Sequence, residues 1–125
     1  MNFVAVVAAL ALVEYMVILL QTGRARQTYG VKAPATTGDP VFERYYRVQQ
    51  NTVEQLVIFF PALFLFAHYV SPRAAGIVGL LFIVGRALYA RGYVADPEKR
   101  GPGFGVSFGA NVILVLGALI GALVG

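Results

Sequence analysis

The chain has 125 residues and a formal net charge of +4; 58% of its residues are hydrophobic and 13% are charged, against about a quarter charged in an average soluble protein. The length suits one domain. The chain contains no cysteine and one histidine, which excludes a disulfide framework, a protein thiol nucleophile, and metal sites built on thiolates or a histidine cluster.

The first apolar run, residues 3–20, carries one charge, Glu14. A spanning helix needs about 20 mostly apolar residues, so we predict a helix over residues 2–28. The run lacks the basic start and the small-residue cleavage site of a signal peptide, and we expect it to be retained. Glu14 is interpreted either as a proton-coupling carboxylate or as a carboxylate neutralised within the bundle.

Residues 29–40 are rich in Gly, Pro and Thr and predict a loop. A second helix is predicted over 40–69, with Asp39 as its N-cap and Pro40 in its first turn. Its first half is dense in charges and amides, whereas residues 56–70 carry no charge.

Two further helices are predicted, over 74–93 and 104–124. Ser71 and Pro72 indicate a tight connection before the third helix, and Gly and Pro residues precede the fourth. The whole chain, residues 1–125, is therefore expected to be one all-α membrane domain, a bundle of four transmembrane helices.

Nine of the ten Lys and Arg residues lie in or beside the first and third connections. In a four-span chain these connections share a side, which the positive-inside rule makes cytoplasmic, with both termini on the opposite side. The basic balance therefore indicates orientation and lipid headgroups, and we expect no nucleic acid partner.

Polar side chains recur on one face of the second helix. Glu43, Arg47, Gln50 and Glu54 follow at i, i+4, i+7 and i+11, with Asn51 beside them. The structural alternative is a self-satisfied stripe of i, i+4 charge pairs. The functional interpretation is favoured because these groups enter a membrane segment, where buried polar side chains usually serve a site.

The third helix carries Arg86, Tyr89 and Tyr93 on one face. Tyrosines near a helix end are often residues of the membrane interface. Both polar faces lie at the predicted cytoplasmic ends of neighbouring helices, however, and there they can converge on one polar, zwitterionic ligand. Arg100 lies at the same level, either as a further cation of the site or as an ordinary interfacial arginine.

Three segments together resemble the MAPEG family, the membrane-associated proteins of eicosanoid and glutathione metabolism. FERYYRVQQNTVE resembles that family's FER-x-x-R-x-x-x-N-x-x-E signature, VKAPATTGDPVFER its lead-in, and GRALYARGYVADPEKR its R-x-x-Y-x-x-GY segment with a following Arg. The spacing between the segments also matches, and the resemblance covers the whole chain. Within the family, the chain most resembles the microsomal glutathione transferases.

The resemblance implies a homotrimer in the lipid bilayer that binds glutathione as co-substrate between subunits on the cytoplasmic side, with no metal. Arg100 would be catalytic, stabilising the glutathione thiolate. Arg26 and Gln49 would reach glutathione from the neighbouring subunit. The other implied glutathione-binding residues are Arg47, Asn51, Glu54, Tyr89 and Tyr93.

The implied reaction is attack of the thiolate on a lipophilic small-molecule electrophile that arrives through the membrane, with peroxide reduction as a second activity. A thiol has a reference pKa of about 8.5, and a nearby cation favours the nucleophilic thiolate. Two positions depart from the family. Gln55 stands where relatives often have an aromatic residue, and Gln27 stands where the leukotriene-conjugating member has arginine, so that specificity is not extended to this chain.

Two alternatives remain open. One is a non-enzymatic lipid-binding scaffold of the same fold, against which the retention of Arg100 speaks. The other is a small proton-coupled multidrug antiporter, which shares the length, the span count and a glutamate in the first helix. The long polar first connection and the absence of tryptophan speak against that class.

Overall fold

The computed structural model describes residues 2–125, and within them the secondary structure is entirely helical. A short 3-10 turn, Pro97–Arg100, joins the last two long helices. The long helices are α1 Phe3–Tyr29, α2 Pro40–Tyr69, α3 Pro72–Ala95 and α4 Gly101–Val124.

Each of the first three helices begins at a side-chain cap. Asp39 Oδ1 accepts hydrogen bonds from the backbone N–H groups of Val41 and Phe42, both at 2.9 Å, which confirms the predicted start of α2. Ser71 Oγ accepts from Ala74 N at 3.1 Å and caps the start of α3, after a break of two residues that follows α2. These caps satisfy backbone N–H groups that have no partner inside the helix.

Two helices are longer than predicted. α3 spans 72–95 instead of 74–93, and α4 begins at Gly101 instead of residue 104. Both predicted helices began too late, because proline was assigned to the connection before each helix. Pro72 and Pro102 both stand in a first turn, where no intrahelical bond is lost by their missing N–H.

The core lies where all four helices meet. The rings of Phe59 in α2 and Phe82 in α3 stack with centroids 4.1 Å apart, and Val7, Leu63 and Leu114 are fully buried around them. Large apolar side chains also cover much of the outside of the bundle. Because each helix is long and apolar enough to cross a bilayer, this outer surface suits lipid tails, and the protein is an integral membrane protein.

Small residues allow α3 and α4 to approach closely. A Cβ atom added at Gly85 would lie 2.6 Å from the backbone N and 3.0 Å from the Cα of Ser107 in α4. Backbone atoms cannot move aside as a flexible side chain can, so the packing of these two helices requires glycine at this position.

We therefore expect Gly85→Ala to destabilise the fold by about 1–3 kcal/mol, because the methyl group forces the two helices apart. Gly109→Ala is the matched control: it lies inside α4, and its added Cβ would meet nothing within 4 Å. Unfolding midpoints in detergent measure both. Equal midpoints for the two variants would contradict the close packing.

Candidate functional site

A cavity of about 510 Å³ opens at the end of the bundle where α2 begins, α3 ends and α4 begins. Its walls are mostly polar, although the helices that form them continue as apolar membrane segments. The lining residues are Arg47, Gln50, Asn51 and Glu54 from α2, Tyr89 and Tyr93 from α3, and Arg100, Gly101 and Phe104 from the start of α4 and the turn before it.

Six of the eight site residues predicted from the sequence line this cavity. The antiparallel packing of α2 and α3 explains why they meet: the tight connection at Ser71 places the first half of α2 beside the last half of α3. The turn at Pro97–Arg100 then returns the chain to the same end. The six residues are Arg47, Asn51, Glu54, Tyr89, Tyr93 and Arg100.

The other two predicted residues, Arg26 and Gln49, do not line it. Arg26 Nη1 donates to the carbonyl oxygen of Ala35 at 2.6 Å, and its guanidinium lies 4.8 Å from the ring centroid of Phe42. Gln49 is half-buried on another face of α2. Within a single chain, both are separate from the cavity.

Three lining residues, Gln50, Gly101 and Phe104, were absent from the predicted set. Gln50 shares the polar face of α2, and that periodicity was sufficient to include it. Its Nε2 donates to the Tyr46 hydroxyl at 3.1 Å. Gly101 was not included because the sequence assigned it to a connection. Phe104 carries no polar group that would mark it as a site residue.

The cavity combines two guanidinium groups, one carboxylate, two amides and two phenols. Arg47, Tyr89 and Arg100 come from three parts of the chain and line this same cavity. Tyr89 contacts the other aromatic walls, with centroid distances of 5.7 Å to Tyr93 and 6.2 Å to Phe104. Such a set can hold a zwitterion with an excess of negative charge, because carboxylates, an ammonium and peptide groups all find partners.

Arg86 lies behind the cavity wall and is completely buried. Its Nη2 donates to Asn51 Oδ1 at 2.7 Å and to Thr52 Oγ1 at 2.9 Å, and its Nη1 donates to Ser107 Oγ at 3.2 Å. The guanidinium carbon lies 4.2 Å from the ring centroid of Tyr89. Arg86 thus contacts two lining residues without lining the cavity itself.

Two charged residues of α2 make contacts within the fold outside the cavity. Arg44 Nη1 donates to the carbonyl oxygens of Val94 and Ala95, at 3.1 and 3.4 Å, at the end of α3. Glu43 Oε2 accepts from Gly38 N at 3.1 Å, in the loop before α2. These bonds anchor the polar end of the bundle on which the cavity depends.

Gln55, the position that departs from the family, pairs across the bundle core. Its Oε1 accepts from Asn111 Nδ2 of α4 at 3.1 Å, both residues are buried, and Gln55 is not part of the cavity wall. The departure from the family at this position therefore lies outside the cavity wall of this chain. What Gln55 does instead is link α2 to α4 at membrane depth.

Glu14 lines a separate cavity of about 460 Å³ between α1 and α3, whose other walls are mostly apolar. Within residues 2–125, no three His, Cys, Asp or Glu side chains cluster as metal ligands would.

Comparisons with known proteins agree on one family. The MAPEG family model matches residues 4–120. An uncharacterized protein of Synechocystis is 50% identical over 119 residues, which cover 95% of this chain and 87% of that protein. Human microsomal glutathione S-transferase 2 is 43% identical over 119 residues, 95% of this chain and 79% of the relative. Bovine leukotriene C4 synthase is 34% identical over 123 residues, which cover 94% of this chain and 82% of that protein.

We expect Asn111→Leu to destabilise the protein by about 1–3 kcal/mol, because it leaves the buried Gln55 side chain without its partner. Adding Gln55→Leu should restore most of the loss, since an apolar pair leaves no unpaired polar group. Unfolding midpoints of the two single variants and the double variant test this. Additive losses in the double variant would show that the pair is not coupled.

Proposed function

Because the chain belongs to the MAPEG family, we propose that it is a glutathione-utilising membrane enzyme, specifically a transferase that joins the glutathione thiolate to lipophilic electrophiles. The observation that carries this proposal is the polar cavity between α2, α3 and α4, which contains Arg47, Asn51, Glu54 and Arg100. Relatives that align over most of the chain are named for glutathione transfer.

The charges of the cavity suit glutathione, which carries two carboxylates and one ammonium group at neutral pH. Arg47 and Arg100 offer partners for the anionic groups, and Glu54 offers one for the ammonium. Guanidinium–carboxylate bonds are charge-assisted and are stronger than neutral hydrogen bonds. Tyr89, Tyr93 and Asn51 add hydrogen-bonding groups for the peptide backbone of the ligand.

Arg100 is proposed to stabilise the thiolate of bound glutathione. A drop of one to two units from the reference thiol pKa corresponds to roughly 1.4–2.7 kcal/mol, which one cation beside a partly dry site can supply. The amino-terminal end of α4, which enters the cavity at Gly101, adds the positive end of a helix dipole. Arginine does not titrate at physiological pH, so this stabilisation is constant there.

In the proposed reaction the thiolate sulfur attacks an electrophilic carbon. A C–S bond forms, and the electron pair of the broken bond leaves with the departing group or stays on the opened ring oxygen, which water protonates. A second proposed activity is peroxide reduction, in which two glutathione molecules are oxidised to their disulfide while the peroxide becomes an alcohol and water. The apolar outer surface of the bundle gives lipophilic substrates a route from the bilayer.

We propose that the protein is a homotrimer in which Arg26 and Gln49 reach the cavity of the neighbouring subunit. Neither residue lines the cavity of its own chain, which is what a contribution across subunits requires. We further propose that the site faces the cytoplasm and that both termini lie on the other side. The concentration of basic residues at the end of the bundle where the cavity opens supports this orientation.

Arg100→Ala should lower kcat for conjugation at neutral pH by about 10- to 100-fold, because the pKa of the bound thiol returns toward its reference value. The loss should shrink as pH rises, since the thiol then ionises without help. Conjugation of a generic chlorodinitrobenzene electrophile, measured from pH 6 to pH 9, provides the profile.

Lys99→Ala is the matched control for that experiment, since Lys99 is the neighbouring exposed cation and does not line the cavity. Its profile should follow that of the unsubstituted chain. Unchanged turnover in Arg100→Ala would contradict the catalytic assignment and favour the lipid-binding scaffold.

The shared site can be tested by mixing subunits. Arg26→Ala and Arg47→Ala should each abolish most activity alone, but co-expression should restore part of it. In mixed trimers, some cavities would receive an intact Arg47 from an Arg26→Ala chain and an intact Arg26 from a neighbouring Arg47→Ala chain. Activity of affinity-purified mixed trimers measures the effect, with co-expressed Arg47→Ala and Asn51→Ala as the control that should not recover. No recovery in the first pair would contradict contribution across subunits.

A further inference from the structure

Arg86 is a buried cation that the proposed reaction does not use, although it contacts two residues of the cavity wall. We propose that Arg86 is a positioning residue: it orients the Asn51 side chain so that the cavity receives only its N–H₂ group, and so selects a carboxylate or peptide carbonyl of glutathione at that point. This inference rests on the proposed function for the identity of the ligand.

The orientation follows from the chemistry of the two side chains. Arginine has only donors, so Asn51 must turn its oxygen toward the guanidinium, and the two atoms are 2.7 Å apart. The Asn51 nitrogen has no hydrogen-bond partner within residues 2–125, and the residue is half-buried in the cavity wall. The amide therefore presents donors to the cavity and no acceptor.

Arg86 is itself held in one position. Thr52 of α2 and Ser107 of α4 accept its other hydrogen bonds, at 2.9 and 3.2 Å, and these hydroxyl groups are buried with it. The Tyr89 ring lies against one face of the guanidinium. Contacts with three helices hold the guanidinium in place. The Asn51 amide therefore cannot flip without losing its charge-assisted hydrogen bond to Arg86.

The consequence is selectivity within the ligand. Glutathione has carboxylate and peptide carbonyl acceptors, whereas its ammonium group offers only donors, and a donor cannot bind where the cavity presents N–H groups. Asn51 therefore binds a carboxylate or peptide carbonyl of glutathione at its point on the α2 wall and excludes the ammonium group from that point. Asn51 acts through the N–H groups of its amide, and the hydrogen bond from Arg86 is what directs those groups into the cavity.

Asn51→Asp separates this role from a structural one. The carboxylate gives Arg86 a charged partner, so the unfolding midpoint should stay equal or rise. The cavity loses its donors and gains an acceptor, so the Kd for glutathione should weaken by about 10- to 100-fold. Titration calorimetry and thermal unfolding of the full chain in detergent measure the two quantities.

A double-mutant cycle tests the role of Arg86 directly. Arg86→Met and Asn51→Ala should each weaken glutathione binding, and the double variant should bind little worse than the weaker single variant, because both changes remove the same contact. Arg91→Met, which replaces an exposed arginine on the same helix, is the control and should leave the Kd unchanged. If Arg86 had only a structural role, the fold losses of glutathione affinity in the two single variants would multiply in the double variant.

Failure of this inference differs from failure of the proposed function. The positioning role would be overturned if Asn51→Asp bound glutathione as tightly as the unsubstituted chain. It would also be overturned if the losses of glutathione affinity in Arg86→Met and Asn51→Ala multiplied in the double variant. In both cases glutathione would still bind to the unsubstituted chain. An unsubstituted chain that binds no glutathione would overturn the proposed function and the selectivity with it. The contact between Arg86 and Asn51 can also be tested without ligand, by thermal unfolding. Any stability gained by Asn51→Asp should vanish when Arg86 is replaced by Met.

Discussion

Accommodation of the buried Arg86 guanidinium is the constraint on which both the bundle and its cavity depend. A cation without solvent is costly unless its N–H groups find partners. Here α2 supplies Asn51 and Thr52 and α4 supplies Ser107 as acceptors for the two Nη groups of the guanidinium. One side chain of α3 thereby links α2, α3 and α4, since a shift of one of these helices would leave a polar group unpaired in the membrane.

The same arrangement explains why a polar cavity can exist beside lipid. Deeper in the membrane than Arg86 and the Gln55–Asn111 pair, the core is apolar, with Phe59, Phe82 and Leu114 in one cluster. On the other side of Arg86 the cavity walls carry charges and amides. Arg86 thus lies at the boundary between a rigid membrane core and a ligand site. A hydrophilic thiol and a lipophilic electrophile can therefore meet there, one from the aqueous side and the other from the bilayer.

The sequence predicted four helices because long uncharged runs identify membrane spans, and a capping Asp39 marks where α2 begins. The sequence predicted most of the cavity from two signals. Helical spacing put Arg47 and Glu54 on one polar face with Asn51 beside them, and the resemblance to the MAPEG family implied that these residues belong to the site. The sequence did less well at the connections. It placed the start of α4 three residues late, since proline and glycine were taken as a break. Burial decided the rest: Arg86 and Tyr89 share one helical face, yet only Tyr89 reaches the cavity, and periodicity cannot separate them.

The central claim is that the cavity holds glutathione as its thiolate. The most direct measurement is an ultraviolet titration of the purified protein with glutathione near pH 7, in which thiolate absorbance is followed as the ligand is added. The account predicts a saturable absorbance that disappears when glutathione is replaced by its S-methyl derivative. Saturable binding of glutathione without any thiolate signal, or no binding at all, would contradict it.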